Sequence, residues 1–154
     1  NTQLRGSLKT LLKDFDLVHI CGKGNVDKTL EGTKGYTQFE YVSEELPHIM
    51  AAADIIVSRA GSNSISEFLA LKKPNLLIPL SANASRGDQI LNAASFEKQG
   101  FSMVLKEEDM TYASLERAIR KLYENRQSFI DAMEKSNTSN GVNGVMEIIK
   151  KYTK

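Results

Sequence analysis

Apolar residues recur along the chain with two different periods. Leu4, Leu8, Leu11, Leu12 and Phe15 fall at helical spacing and form one stripe, after which Leu17-Val18-His19-Ile20-Cys21 is a short, nearly continuous apolar run. The spacing predicts a helix followed by a buried strand. The alternation then repeats. Tyr36 to Val42 is β-prone, Glu44 to Ala53 is helical, and Ile55-Ile56-Val57 is too short for anything but a strand ending in a loop. Ser64 to Leu71 reads as a helix closed by Lys72-Lys73 and by Pro74, which cannot continue it. Leu76-Leu77-Ile78 is the next strand and stops at Pro79. Asp88 to Lys98 is a helix with Gly100 as its C-cap, and Phe101 to Leu105 is the last strand. From Thr111 onward only helical patterns remain: Leu115, Ile119 and Leu122 first, then Val142, Val145, Met146, Ile149 and Tyr152. Ser136 to Gly144, rich in Ser, Asn and Gly, reads as a hinge before a covering or docking helix within 137–154.

Continuous apolar strands separated by helices signal a parallel sheet covered on both faces, because each crossover helix packs on the sheet its strands form. The expected fold is therefore a doubly wound, Rossmann-like α/β domain over 1–154. Such domains open on a strand and a glycine-bearing turn, whereas this sequence opens within a helical pattern. A first strand upstream of Asn1 is the expectation.

Composition narrows the chemistry mainly by exclusion. The chain has 154 residues, 41% hydrophobic and 25% charged, as in an ordinary globular domain. A net charge of +1 provides no field that would draw nucleic acid or an anionic membrane to the whole surface. One cysteine, Cys21, can form neither an intrachain disulfide nor a thiolate metal site, and His19 and His48 stand alone. No run approaches the roughly 20 apolar residues of a membrane span, and no basic-then-apolar leader opens the sequence. The chain reads as cytosolic, with no cofactor.

Ligands of doubly wound folds bind beyond the carboxyl ends of the strands. Ile55-Ile56-Val57 is followed by Ser58-Arg59-Ala60-Gly61-Ser62-Asn63-Ser64-Ile65-Ser66-Glu67. Gly61 permits a tight turn, and Ser62, Asn63 and Ser64 bring hydroxyls, an amide and free backbone N–H groups to a helix start. Unpaired donors at the positive end of a helix dipole suit a phosphate. The plainer alternative is a capping box in which Ser64 caps the helix and Glu67 answers it. After Pro79 a long polar loop, Leu80 to Arg86, leads to Gly87-Asp88-Gln89 at another helix start. An acid and an amide there suit sugar hydroxyls, although Asp88 is also an ordinary first-turn helix residue.

Other sites fail on their spacing. Gly22-Lys23-Gly24 begins like a dinucleotide fingerprint, but Asp27 stands where the third glycine belongs. No Gly-Lys-Ser/Thr follows a glycine-rich loop, and no Gly-x-Ser-x-Gly occurs. His19 reads as a core or sheet-end residue, His48 as surface, and Cys21 as a small inert hydrophobe.

Taken together, these segments resemble the C-terminal domain of the MurG family, the peptidoglycan N-acetylglucosaminyltransferases that convert lipid I to lipid II. The resemblance spans essentially the whole chain. It is carried by His19 to Gly24, by Ala51 to Glu67, by Pro74 to Pro79, and by Arg86-Gly87-Asp88-Gln89 with Asn92-Ala93. It implies the C-terminal half of a two-domain GT-B glycosyltransferase that binds the donor, UDP-N-acetylglucosamine. The acceptor lipid I, the membrane contact and the catalytic base fall to an N-terminal domain outside this sequence. By the same resemblance, Val42 offers its backbone to uracil, and Ser62, Asn63 and Ser64 supply donors near the diphosphate. Glu67 accepts the ribose hydroxyls, and Asp88 and Gln89 hold the sugar; Arg59 braces its loop. The family's glycine-rich diphosphate loop lies just before Asn1.

The expected activity is thus the donor half of an inverting glycosyltransferase, peripheral on the cytoplasmic face of the membrane as a whole protein. No Asp-x-Asp pair is available to hold a metal against the diphosphate, so none is expected. Two alternatives remain open: an isomerase of UDP-N-acetylglucosamine with similar architecture, and a noncatalytic nucleotide-sugar-binding subunit that pairs with a membrane-bound chain.

Overall fold

The computed structural model describes residues 1–84 and 87–136. The expected hinge lies almost wholly outside the described residues, and the helix of 137–154 and Arg86 lie outside them altogether. The element order is α1 (Thr2–Leu11), β1 (Leu17–Ile20), β2 (Tyr36–Phe39), α2 (Leu46–Ala52), β3 (Ile56–Ser58), α3 (Ser62–Ala70), β4 (Asn75–Leu77), α4 (Asp88–Lys98), β5 (Ser102–Val104), α5 (Tyr112–Glu124) and α6 (Arg126–Lys135). Short 3-10 turns at Lys28–Leu30 and Glu107–Asp109 complete it.

Every strand pairing is parallel. The strands form two sheets, β1-β2 and β3-β4-β5, so that β1, β2, β3 and β5 each keep one edge unpaired among the described residues. The helices divide between two faces. Leu11 of α1 and Leu115, Ile119 and Leu122 of α5 pack with Leu76 and Ile78, and Leu17, Ile55 and Met103 join them. On the other face, Met50 of α2, Ile65 and Phe68 of α3 and Ala93 of α4 pack around Ala60 and Leu77. Leu76 and Leu77 are fully buried because β4 is central to its sheet and covered on both sides.

Helix ends follow local chemistry. α4 closes as predicted: Gly100, in the left-handed region at φ 76, donates to Glu97, and Phe101 N–H donates to Phe96 O at 3.0 Å. That pair of bonds is a Schellman motif, and its apolar contact is the edge-on stack of Phe96 and Phe101. The first sequence helix to need correction is α3. It begins at Ser62 with Gly61 as N-cap and carries no side-chain cap. Ser64 is therefore the third helical residue and Glu67 lies in the second turn, so the Ser64–Glu67 capping box does not form.

Candidate functional site

The β3–α3 corner combines a small buried residue with an open helix start. Ala60 is fully buried, which brings the backbone close against α4, and Asn92 Nδ2 donates to Ala60 O at 3.1 Å. Gly61 has no side chain to offer the helix, so the first-turn N–H groups of Ser62, Asn63 and Ser64 receive no side-chain cap. The first helical bond, Ile65 N–H to Gly61 O, lies beyond them. These donors and the positive end of the helix dipole face outward together, with Ser62 and Asn63 exposed. Glu67 follows Asn63 by four residues and Ser64 by three, so its exposed carboxylate stands one turn down on the same helix face.

α4 approaches from the side, starting after Gly87 with Asp88 exposed in its first turn. Gln89 is half-buried, and its Oε1 accepts the Leu80 N–H at 3.1 Å. A backbone N–H needs an acceptor, so this contact fixes the amide orientation and turns the Gln89 NH2 group away from Leu80. Arg59, just past β3, donates through Nη1 to Ile78 O at 3.2 Å and through Nη2 to Glu107 Oε1 at 2.6 Å. The other Glu107 oxygen accepts the Ser81 N–H at 3.2 Å. Arg59 thus braces its loop, as expected, and these two bonds hold the Glu107 carboxyl below the usual carboxylate range.

The predicted residues Ser62, Asn63 and Ser64 lie in the first turn of α3 with Glu67 in its second, and Asp88 and Gln89 lie in the first turn of α4; the Asn92–Ala60 bond links the two helices just behind these turns. Val42 stands apart, after β2, with its side chain buried beside an exposed Tyr41. Its connection to the corner runs through α2, whose Leu46 and Met50 pack against Ala60 and Ile65. His19 is buried in β1 and His48 is exposed on α2, so neither histidine belongs to this cluster. The chain does contain one Asp-x-Asp sequence, Asp14-Phe15-Asp16. It precedes β1, at the opposite end of the strand from the carboxyl ends, and Asp14 pairs with Arg120 at 2.7 Å. Among the described residues, no group of three or more His, Cys, Asp or Glu could hold a metal ion. No described helix is long and apolar enough to cross a membrane.

Sequence reasoning missed Glu107 and the bracing role of Asn92. Glu107 sits in the run Lys106-Glu107-Glu108-Asp109, which reads as a solvated turn, and its partner Arg59 is 48 residues away.

Comparison with known proteins gives a consistent picture. Residues 1–151 match the family described as the glycosyltransferase family 28 C-terminal domain. A relative from Clostridium botulinum (strain Langeland) is 58% identical over 154 residues, 100% of this chain and 44% of its own length. One from Geobacillus kaustophilus is 59% identical over 150 residues, 97% of this chain and 42% of its own. Both are named UDP-N-acetylglucosamine--N-acetylmuramyl-(pentapeptide) pyrophosphoryl-undecaprenol N-acetylglucosamine transferase. The chain therefore spans less than half the length of these relatives. Among solved structures, the glycotransferase of kitacinnamycin superposes with a TM-score of 0.76 at 18% identity, over 98% of this chain and 39% of that one. Acinetobacter baumannii MurG superposes with a TM-score of 0.70 at 22% identity, over 97% and 46% respectively. These two likenesses establish the shared fold.

Proposed function

Because the chain belongs to the glycosyltransferase family 28 C-terminal domain family, we propose that it is the donor-binding half of an inverting transferase that uses UDP-N-acetylglucosamine and makes lipid II from lipid I. The observation that carries the reading is the uncapped first turn of α3 set beside the oriented amide of Gln89. Negative charge grows on the leaving UDP as the glycosidic bond breaks, and donors fixed in advance at Ser62, Asn63 and Ser64 stabilise it without reorganising. Glu67 accepts the ribose hydroxyls, the Val42 backbone meets the uracil edge, and Asp88 and Gln89 hold the sugar. The names of the relatives supply the donor and acceptor classes.

Attack at the anomeric carbon needs a base to deprotonate the acceptor hydroxyl. His19 is buried in β1 and His48 is on α2; on this reading the base, the lipid I site and the membrane contact belong to the part of the protein outside these residues. The whole protein then works as a peripheral protein on the cytoplasmic face of the membrane. An isomerase would need an acid and a base within this cluster, and a binding subunit would need a separate catalytic chain.

Glu67 gives the sharpest test. It lies in the second turn and caps nothing, so Glu67→Gln should change stability by no more than a few tenths of a kcal/mol, as at an ordinary surface site. Loss of charge-assisted bonds to ribose costs about 1.5 to 3 kcal/mol, a tenfold to hundredfold weaker affinity for UDP. Calorimetric titration of UDP, with 2′-deoxy-UDP as comparison, into the full-length wild-type and Glu67→Gln proteins reads this directly. Equal affinities in the two proteins would remove Glu67 from the uridine site.

A further inference from the structure

We propose that Glu107 is a positioning residue for the sugar side of this site, anchoring the segment Ile78 to Ser81 after β4 through both carboxylate oxygens; the inference rests on the nucleotide-sugar reading above. Glu107 belongs to the 3-10 turn after β5, and its hydrogen bonds run to Arg59 and Ser81, outside both α3 and α4. One oxygen accepts from Arg59 and the other from the Ser81 N–H. Arg59 in turn donates to Ile78 O, and Gln89 accepts from Leu80 N–H. Three backbone groups within four residues are therefore held by side chains from three separate elements: the end of β3, the turn after β5, and the first turn of α4. Loop backbone usually leaves such groups to water, so a segment tethered this closely has its position specified.

A partly exposed ion pair adds little to global stability. What it does here is geometric. The carboxylate sets Ser81 at a fixed distance from Arg59, and the preceding N–H, that of Leu80, is the group that orients the Gln89 amide. With the loop anchored, Gln89 Oε1 is committed to Leu80 and only its NH2 is free to donate to a sugar oxygen. Without the anchor, the amide can rotate and offer either face. Glu107 thus acts on the ligand through Ser81, Leu80 and Gln89, and contacts no ligand atom itself.

The test uses the full-length protein carrying this chain, as wild type, Glu107→Ala and Glu107→Gln. The glutamine keeps the shape but has one acceptor oxygen where the glutamate has two. Titrations with UDP-N-acetylglucosamine and with UDP separate the sugar contribution from the nucleotide contribution, and amide hydrogen exchange at Leu80 and Ser81 reports the loop. Both variants should weaken UDP-N-acetylglucosamine about tenfold, the scale of one lost hydrogen bond, and leave UDP within about twofold. Leu80 and Ser81 should exchange faster, with the melting temperature nearly unchanged. An unaltered ratio of the two affinities overturns the role, and so does equal weakening of both ligands. If wild type binds neither ligand, the nucleotide-sugar reading fails. Exchange then decides the anchoring alone, and unchanged exchange in Glu107→Ala overturns it in either case.

Discussion

His19 shows how one buried residue ties stability to pH. Its Nδ1 lies 2.7 Å from Tyr36 Oη and its Nε2 lies 3.0 Å from Asn1 Oδ1. Asn1 Oδ1 can only accept, so Nε2 carries the proton and Nδ1 accepts from the tyrosine hydroxyl. Burial above all, with positive charge near the ring that includes Arg5, lowers the His19 pKa from 6.5 to about 4. The folded chain therefore keeps the ring neutral where the unfolded chain protonates it. Between the unfolded value and the folded one, the unfolded state binds the extra proton, and stability falls as pH drops from 6.5 to about 4. With half of the shift discounted for partial solvent access, the loss is on the order of 2 kcal/mol. Denaturant melts at pH 7 and pH 4.5 should show this loss in wild type and a smaller one in His19→Gln. Equal losses would assign the pH dependence to other groups. His19 also illustrates what was legible at this scale, since an isolated histidine inside an apolar run already reads as a core residue.

At the scale of elements, boundaries were legible where a residue type has one dominant use. Asp88 to Lys98 and Gly100 were read correctly because a glycine after a periodic run serves as a left-handed cap. The start of α3 was misread because Ser62, Asn63 and Ser64 are all competent caps, and only the backbone path shows that Gly61 takes the position. α3 also ends in a Schellman motif, with Lys72 at φ 55 where glycine is usual. Its Nζ donates to Met133 O at 3.0 Å, which gives a reason for a long side chain at that strained position.

The contact of α1 with α5 depends on another glycine. A Cβ on Gly6 would overlap the Tyr112 ring, which would have to swing toward solvent to make room. Alanine is the better helix former by about 1 kcal/mol, so the sign depends on Tyr112. Gly6→Ala should destabilise wild type by about 1 kcal/mol through displacement of the ring, yet stabilise a Tyr112→Ala background by a similar amount. Thermal unfolding of the four proteins measures the coupling. The same effect in both backgrounds would show that the ring moves aside freely.

For the whole molecule, the open edges of β1 and β3 carry the main consequence. Leu17 and Cys21 donate to Gly35 O and Phe39 O across the β1–β2 pairing, so the backbone groups of Val18 and Ile20 point to the open side. In β3, Ile56 donates to Pro74 O and Ser58 O accepts from Ile78, which turns the backbone of Val57 outward. Val18, Ile20 and Val57 are 52%, 42% and 43% exposed, high for apolar strand residues. Asn1 donates to Cys21 O at 2.9 Å, which puts the start of α1 at the carboxyl end of β1. If a parallel strand preceded α1 and paired with both edges, α1 would become a right-handed crossover and the strand order would be doubly wound. Hydrogen exchange should show the amides of Val18, Ile20 and Val57 protected at least about tenfold more when the preceding part of the full-length protein is present. Unchanged exchange at all three would mean that the edges stay open.

The sequence by itself determined the succession of helices and strands, the parallel α/β class, and the two polar corners at Ser62–Ser64 and Asp88–Gln89. Those features follow from periods of 3.6 and 2 and from turn chemistry, which act over a few neighbouring residues. Only the tertiary structure decided that the strands fall into two sheets, that Gln89 Oε1 takes the Leu80 N–H, and that Glu107 accepts from both Arg59 and Ser81. Arg59 and Glu107 are 48 residues apart, and Leu80 and Gln89 are nine. Such contacts exist only once folding brings distant segments together, and nothing in the local pattern of either segment records its partner.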